Sequence, residues 1–187
     1  MIITILFVYK MATHIAMQEN ADLEVVQLAV LLHNVDDRKL FPETYENKTH
    51  ARNFLTENNA DTALIQKICE IVEEISFAGK DSVIPKLLEG KCVQYADRLD
   101  ALGAIGIARA FAYGGNHNRK MHDPDEIPDL DMGVEEYHSR TSTTINHFYE
   151  KLFKLKDMMN TDTARALAHD REAYMREFLE EFLNEWD

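Results

Sequence analysis

LAVLLHNVDD, Leu28 to Asp37, is an apolar run that ends in a cluster of polar side chains. Val25, Leu28, Leu31 and Leu32 recur at helical spacing, so the run reads as the buried stripe of a helix reaching about Asn34. His33, Asn34, Asp36 and Asp37 stand at its mouth. Polar groups in such a place cost free energy unless they are paired, exposed or used. His33 taken alone reads as a satisfied core histidine. If the helix continues, Asp37, four residues on, shares its face and can orient the imidazole. The other reading of Asp36 and Asp37 is a solvated turn, or the cap of whatever follows.

Outward from that stretch the pattern is helical nearly throughout. Upstream, Val8, Met11, Ala12, Ile15 and Ala16 form one helix, which Asn20 and Asp22 punctuate. Downstream, Phe41 to Asn47 reads as a turn and Lys48 to Asn58 as a short helix. Asp61 caps a helix through about Ile75 with Leu64, Ile65, Ile68, Ile71, Val72 and Ile75 on its core side. A break at FAGKDSVIP precedes a long helix from about Gly90 to Tyr113, stopped by Gly114 and Gly115. The next loop, through Gly133, is unusually long for a compact domain. Two helices close the chain, from about Val134 to Met159 and Thr161 to Trp186. No strand shows convincing alternation, so the class is all-α, with six or seven helices in a single domain over 1–187. Its core lies at about 8–115, followed by the C-terminal helices at 134–186.

The totals narrow the function. The chain has 187 residues and 45% hydrophobic composition, enough for a sizeable core, and only 7 Gly and 4 Pro. A net charge of −13 argues against nucleic-acid binding, which wants a basic face. The leading MIITILFV lacks the positive flank of a signal peptide and is too short to cross a bilayer, so no membrane role and a cytoplasmic location are expected. Cys69 and Cys92 are the only cysteines and show no paired spacing, which reads as buried thiols in a reducing compartment.

A second polar residue stands out inside CVQYADRLDALGAIGIARAF. Asp97 sits in a strongly apolar helix, and positions 97, 101, 104 and 108 share a face on which the other three are alanine. That face has room for a metal, a ligand or another backbone. A buried salt bridge with alanines for close helix packing is the competing reading.

AVLLHNVDD followed downstream by YADRLDALGAIGIARAF resembles the HD-domain superfamily of metal-dependent phosphohydrolases, closest to its small bacterial group with an acidic turn after the motif. The resemblance runs from about Val8 to the C-terminus. It implies a compact helical bundle and a site in which a first histidine, an adjacent His-Asp pair and a distant aspartate hold divalent cations such as manganese, magnesium, iron or nickel. It also implies hydrolysis of phosphate esters, with a nucleotide or similar small phosphorylated molecule as substrate and a homodimer as one possible assembly.

Carried onto this chain, His33 is the histidine of the pair, Asp97 is the distant aspartate, and Asn34 occupies the place of the paired aspartate. The family's first histidine falls near Thr4, within MIITILF, which does not match the pattern; His14 lies about three turns too late. The expected metal ligands are therefore His33, Asn34 and Asp97. An asparagine offers a neutral carbonyl where a carboxylate brings full charge, so weak metal binding is expected. Asp36 or Asp37 is the expected proton acceptor. Arg98 is expected to pair with phosphate or to hold the carboxylates in place, and Lys48 and Arg52 read either as a second phosphate cluster or as solvated surface charges. In the long loop, His117, Arg119, Lys120 and His122 make a local basic patch, which reads equally as a substrate cover and as a plain surface loop. Two functions follow: a metal-dependent phosphohydrolase of the HD type, or a weakened member that binds a ligand or partner without turnover.

Overall fold

The computed structural model of the chain describes residues 2–37, 40–75, 82–132, 141–159 and 161–186. Among these residues there are nine α-helices, two short 3₁₀ turns and no strand. The all-α expectation therefore holds, with a helix count somewhat above six or seven. Two compact units are present, one of residues 1–76 and 83–96, the other of residues 77–82 and 97–187.

The first unit opens with α1 (Ile2–Glu19), which already includes the leading apolar stretch. Asn20 ends it in the left-handed conformation at φ 56°, and the Ala21 amide returns to the Ala16 carbonyl. Asp22 then caps α2 (Leu23–Leu32), accepting from the Glu24 and Val25 amides. α1 packs on α2 through small and β-branched residues: Val8, Ala12, Ile15 and Ala16 on one side, Val26, Ala29 and Val30 on the other, all essentially inaccessible to water. α3 (Pro42–Tyr45) is a single helical turn where the sequence predicted only a turn; Pro42 at its start supplies a preset φ. α4 (Thr49–Glu57) and α5 (Thr62–Glu74) follow, and α5 packs on both α2 and α4. Asp61 caps α5 as predicted, accepting from Leu64 N at 2.8 Å. The core face of α5 carries Ile68, Cys69, Ile71 and Val72. Buried Gln94 donates to the carbonyls of Glu74 and Val83, which closes the unit around the end of α5.

The start of α4 is held by an acid far away in sequence. Asp36, with its side chain wholly shielded from water, accepts from His50 N at 3.1 Å and Ala51 N at 3.0 Å. These are two of the amides that a helix N-terminus leaves without intrahelical partners. Burial pushes the Asp36 carboxyl up, but the Thr44 hydroxyl, the two amides and the His50 ring outweigh it and hold the group below its ordinary value of 3.8.

The sequence predicted one helix from about Gly90 to Tyr113; there are two. α6 (Leu88–Asp100) stops and α7 (Gly103–Asn116) restarts after two residues. Leu102 is extended and Gly103 adopts φ +77°, which a side chain would strain. The Arg171 side chain lies over Gly103, and its guanidinium donates to the Leu99 carbonyl. The face of Ala101, Ala104 and Ala108 is therefore not continuous with Asp97. The glycine pair does not stop α7 either. Gly114 is buried because the Thr144 hydroxyl presses on it, 2.2 Å from where a Cβ would stand, and Asn118 takes the left-handed position beyond the helix end.

The second unit packs α7 against α8 (Thr144–Glu150) and α9 (Asp162–Trp186). Phe148, which is buried, and the half-buried Phe111, Phe178 and Phe182 form an aromatic cluster in it, with ring centroids 5.6–6.4 Å apart. Such pairs add about 0.5–1.5 kcal/mol beyond their area. The predicted helix at 134–159 begins outside the described residues. Within them it is shorter: α8 ends at Glu150, and two 3₁₀ turns carry the rest of the stripe, so Leu152, Leu155 and Met159 are buried without a continuous α-helix. The long loop is tied down rather than free. Lys120 and Met121 carbonyls accept from Thr144 N and Ile145 N at 2.9 Å each, and the Glu126 carbonyl accepts from the Asn146 amide.

Removing the Asp36 carboxylate should loosen the start of α4. Asp36→Ala leaves two amides without their acceptor and should cost roughly 1–3 kcal/mol in urea denaturation. Because the folded-state value lies below 3.8, the ionic part of that stability is complete above it and disappears as pH falls through the lowered value. Asp36→Asn should therefore be less stable than the parent at neutral pH, and the gap should close in acid.

His147, on α8, behaves oppositely in origin but similarly in outcome. Burial, helped by the charges of Lys151 and Arg119, pushes its imidazole down to about 3. The folded chain keeps it neutral while the unfolded chain takes a proton near pH 6.5. Stability is thus full above about 6.5 and declines as pH falls toward 3. His147→Phe should give a flatter stability curve across that window; an unchanged slope in pH-dependent denaturation would contradict this assignment.

Candidate functional site

α2 ends at Leu32, and His33 occupies its C-cap with helical dihedrals. Residues 33–36 form a turn, closed by Val35 N donating to the Leu32 carbonyl. The helix does not continue to Asp37, so helical spacing does not relate His33 to that carboxylate. The last carbonyls of a helix lack intrahelical partners, and His33 supplies one: its Nδ1 donates to the Val30 carbonyl at 2.5 Å. Only a protonated ring nitrogen can make that bond, so in the neutral imidazole Nε2 carries a bare lone pair. Metal-binding histidines are commonly oriented by this kind of bond from the other nitrogen. At Nε2, however, the Asn34 side chain is already in place, its Nδ2 donating at 2.7 Å. His33 is half-buried and Asn34 exposed.

The two aspartates diverge in role. Asp36 is buried with its oxygens on the α4 amides, and its Oδ1 also lies 3.2 Å from His50 Nδ1. The same ring nitrogen stands 3.1 Å from the Val35 carbonyl and the ring lies edge-on to Phe41. Asp37 accepts from Leu40 N with its carboxylate at 3.2 Å, and its carbonyl accepts from Leu40 and Phe41. The capping reading of this acidic pair thus describes Asp36 well, although the helix it caps begins more than a dozen residues away.

The cations expected to meet phosphate are engaged locally. Lys48 is buried, sits in the left-handed conformation at φ 50°, and donates from Nζ to the Tyr45 carbonyl at 2.6 Å while lying over the Tyr45 ring. Arg52 Nε donates to the Asn47 carbonyl at 2.8 Å. Both therefore brace the turn before α4.

Asp97 and Arg98 belong to the second unit, on the last turn of α6. Asp97 is half-buried. Arg98 is buried and donates to the Met158 carbonyl at 3.0 Å, joining α6 to the second 3₁₀ turn. The loop's basic patch is also spent nearby: His117 stacks on Tyr113, Arg119 lies over the same ring, and Lys120 pairs with Asp123.

Among the described residues, no three His, Cys, Asp or Glu side chains converge in a way that could hold a metal ion. The donor chemistry agrees, since His33 Nε2 accepts from Asn34 and both Asp36 oxygens accept backbone amides. The residues do not fit a closed metal centre, which calls for several converging anionic or imidazole donors. The sequence reading missed two partners that decide this: the Val30 carbonyl, which no side-chain pattern reveals, and the amides of His50 and Ala51, which lack the short spacing of a local capping box.

Known proteins agree with the architecture. YpgQ of Bacillus subtilis is 36% identical over 175 residues, covering 92% of this chain and 77% of its own. The crystal structure of YpgQ in complex with ADP matches 98% of this chain and 87% of that one at 33% identity, with a TM-score of 0.76. A protein of Lactobacillus plantarum matches at 41% identity and a TM-score of 0.86, covering 98% of this chain and 85% of that one. An HD-superfamily hydrolase of Bacillus thuringiensis matches at 38% identity and a TM-score of 0.74, covering 98% and 84%. No helix among the described residues is long and apolar enough to cross a membrane. The model of the HD domain family matches residues 3–102, and with relatives of this similarity across nearly its whole length the chain belongs to the HD domain family.

Proposed function

We propose that this chain binds a nucleotide, or a closely related phosphate ester, at an HD-type site and hydrolyses it weakly. The ligand class is supported by YpgQ, which crystallised with ADP and shares this chain's fold over nearly its full length. The weak turnover is carried by one observation, the Asn34 amide lying on His33 Nε2. In this reading His33 and Asp97 are the retained members of the family's constellation, Asn34 the altered one. Asp36 keeps α4 in place and Asp37 is the proton acceptor. Arg98, Lys48 and Arg52 shape the edges of the phosphate site through the turns they brace. A second reading, a fully competent phosphohydrolase dependent on a divalent cation, is favoured by the relative from Bacillus thuringiensis, a hydrolase of the same superfamily.

The test measures ADP binding by calorimetry, and phosphate and pyrophosphate release from a panel of nucleotides with added Mn²⁺. It compares this chain with Asn34→Asp and with Asp97→Ala. ADP should bind the parent chain. Asn34→Asp should turn over at least about tenfold faster than the parent, the scale on which ligand-sphere changes act, and Asp97→Ala should stay at background. Equal rates for parent and Asn34→Asp would replace the weak-turnover reading with the competent one. Absence of nucleotide binding in all three would remove the nucleotide altogether.

A further inference from the structure

Asp97 stands on the last turn of α6, where the backbone carbonyls run out of intrahelical donors. Other groups answer them. Ala101 N donates to the Arg98 carbonyl and Leu102 N to the Leu99 carbonyl, each at 3.1 Å, which tightens the turn. The Asp100 carbonyl accepts from Arg109 Nη1 at 3.4 Å. The Leu99 carbonyl also accepts from the Arg171 guanidinium. Arg109 lies on α7 and so belongs to the joint it holds, whereas Arg171 reaches the turn from α9. We propose that Arg171 is a positioning residue for Asp97: it fixes the last turn of α6 from α9 and so sets the aim of the Asp97 carboxylate. This rests on the reading above that Asp97 belongs to the hydrolytic site.

The root of Arg171 is held by the core. Ala164, Ala168, Glu172, Met175 and Leu179 form the buried stripe of α9, which packs on α7, and Arg171 sits at the edge of that stripe. Its Cβ, Cγ and Cδ lie 3.2–3.5 Å from where a Cβ on Gly103 would stand. The apolar stem therefore rests on bare backbone at a residue whose φ is +77°, and a side chain there would both strain the joint and push the stem away. The guanidinium at the far end stays charged, although burial pushes it down from 12.5. A cation on the terminal carbonyls of a helix is favoured as a donor and by the helix dipole. Asp97 and Leu99 are joined by two planar peptide units, so a displacement of the Leu99 carbonyl is carried to Asp97. A reacting group misplaced by about 1 Å can lose roughly 100-fold in rate.

Loss of aim and loss of stability are separable. The experiment uses the full-length parent and its Asn34→Asp form, each carrying Arg171→Met, Arg171→Lys, Asp97→Ala or Leu179→Ala. Methionine keeps the apolar stem and removes every donor; lysine keeps the charge and a donor. Leu179 is buried further along α9, away from the joint, so Leu179→Ala lowers stability alone. Phosphate and pyrophosphate release from ADP and from nucleoside triphosphates is followed with added Mn²⁺, well below the melting temperature of each variant. Positioning predicts that Arg171→Met lowers kcat by about tenfold or more with KM within about twofold. It also predicts that Arg171→Lys recovers part of the loss, and that Leu179→Ala melts lower yet keeps the kcat of its parent. A parental kcat in Arg171→Met, a rise in KM alone, or an equal fall in Leu179→Ala overturns the assignment; inactivity of Asp97→Ala then leaves the hydrolytic reading standing. Asp97→Ala as active as its parent, or no turnover in either form, removes that reading and the positioning role with it.

Discussion

α2 must end against its own apolar surroundings, and its last carbonyls must still find donors. The Nδ1–H of His33 bonding to the Val30 carbonyl meets that need at the first residue beyond the helix. It orients the imidazole and places the proton of the neutral ring on Nδ1. The turn at 33–36 follows, then Asp36 on the α4 amides, then the placement of α4 against α5. A bond whose first effect is to finish a helix therefore also sets the direction of the His33 ring.

The polar groups around this turn have each been drawn into holding the backbone. Asp36 caps a helix, and Lys48 and Arg52 brace the turn before it. Within the second unit, Arg98 likewise ties α6 to a 3₁₀ turn. In each case a charged side chain satisfies backbone groups, buried ones for Asp36 and exposed ones for Arg52. Charge in this chain is thus a structural element first. Asn34 is exposed and serves a side chain instead, its amide donating to His33 Nε2.

Much of the fold was legible because it follows from local rules. The stripes of α1 and α5 and the caps Asp22 and Asp61 depend on spacing and on short-range hydrogen bonds. The stripe expected on α2 was wrong in part: Leu31 is exposed and Leu28 half-buried, and α1 and α5 cover Val26, Ala29 and Val30 beside Val25 and Leu32 instead. The break between α6 and α7 was not legible, since an apolar run reads as one helix whether or not Gly103 takes a positive φ under Arg171. Gly114 was misread as a stop because the sequence could not show Thr144 pressing on it. The stripe from Phe148 to Met159 is buried as expected, but the dihedrals of Lys151 interrupt the helix that was to carry it.

Sequence by itself determined the class and the family, because these depend on residue types at fixed separations. It singled out His33, Asn34 and Asp97, and it predicted that an asparagine beside His33 would weaken a metal site. Only the tertiary structure decided what these side chains touch. The direction of the Val30 carbonyl, the tautomer it imposes, and the amides that Asp36 meets on α4 are three-dimensional facts with no short-range signature. A hydrogen bond depends on where a donor points, and a sequence records only which donors exist.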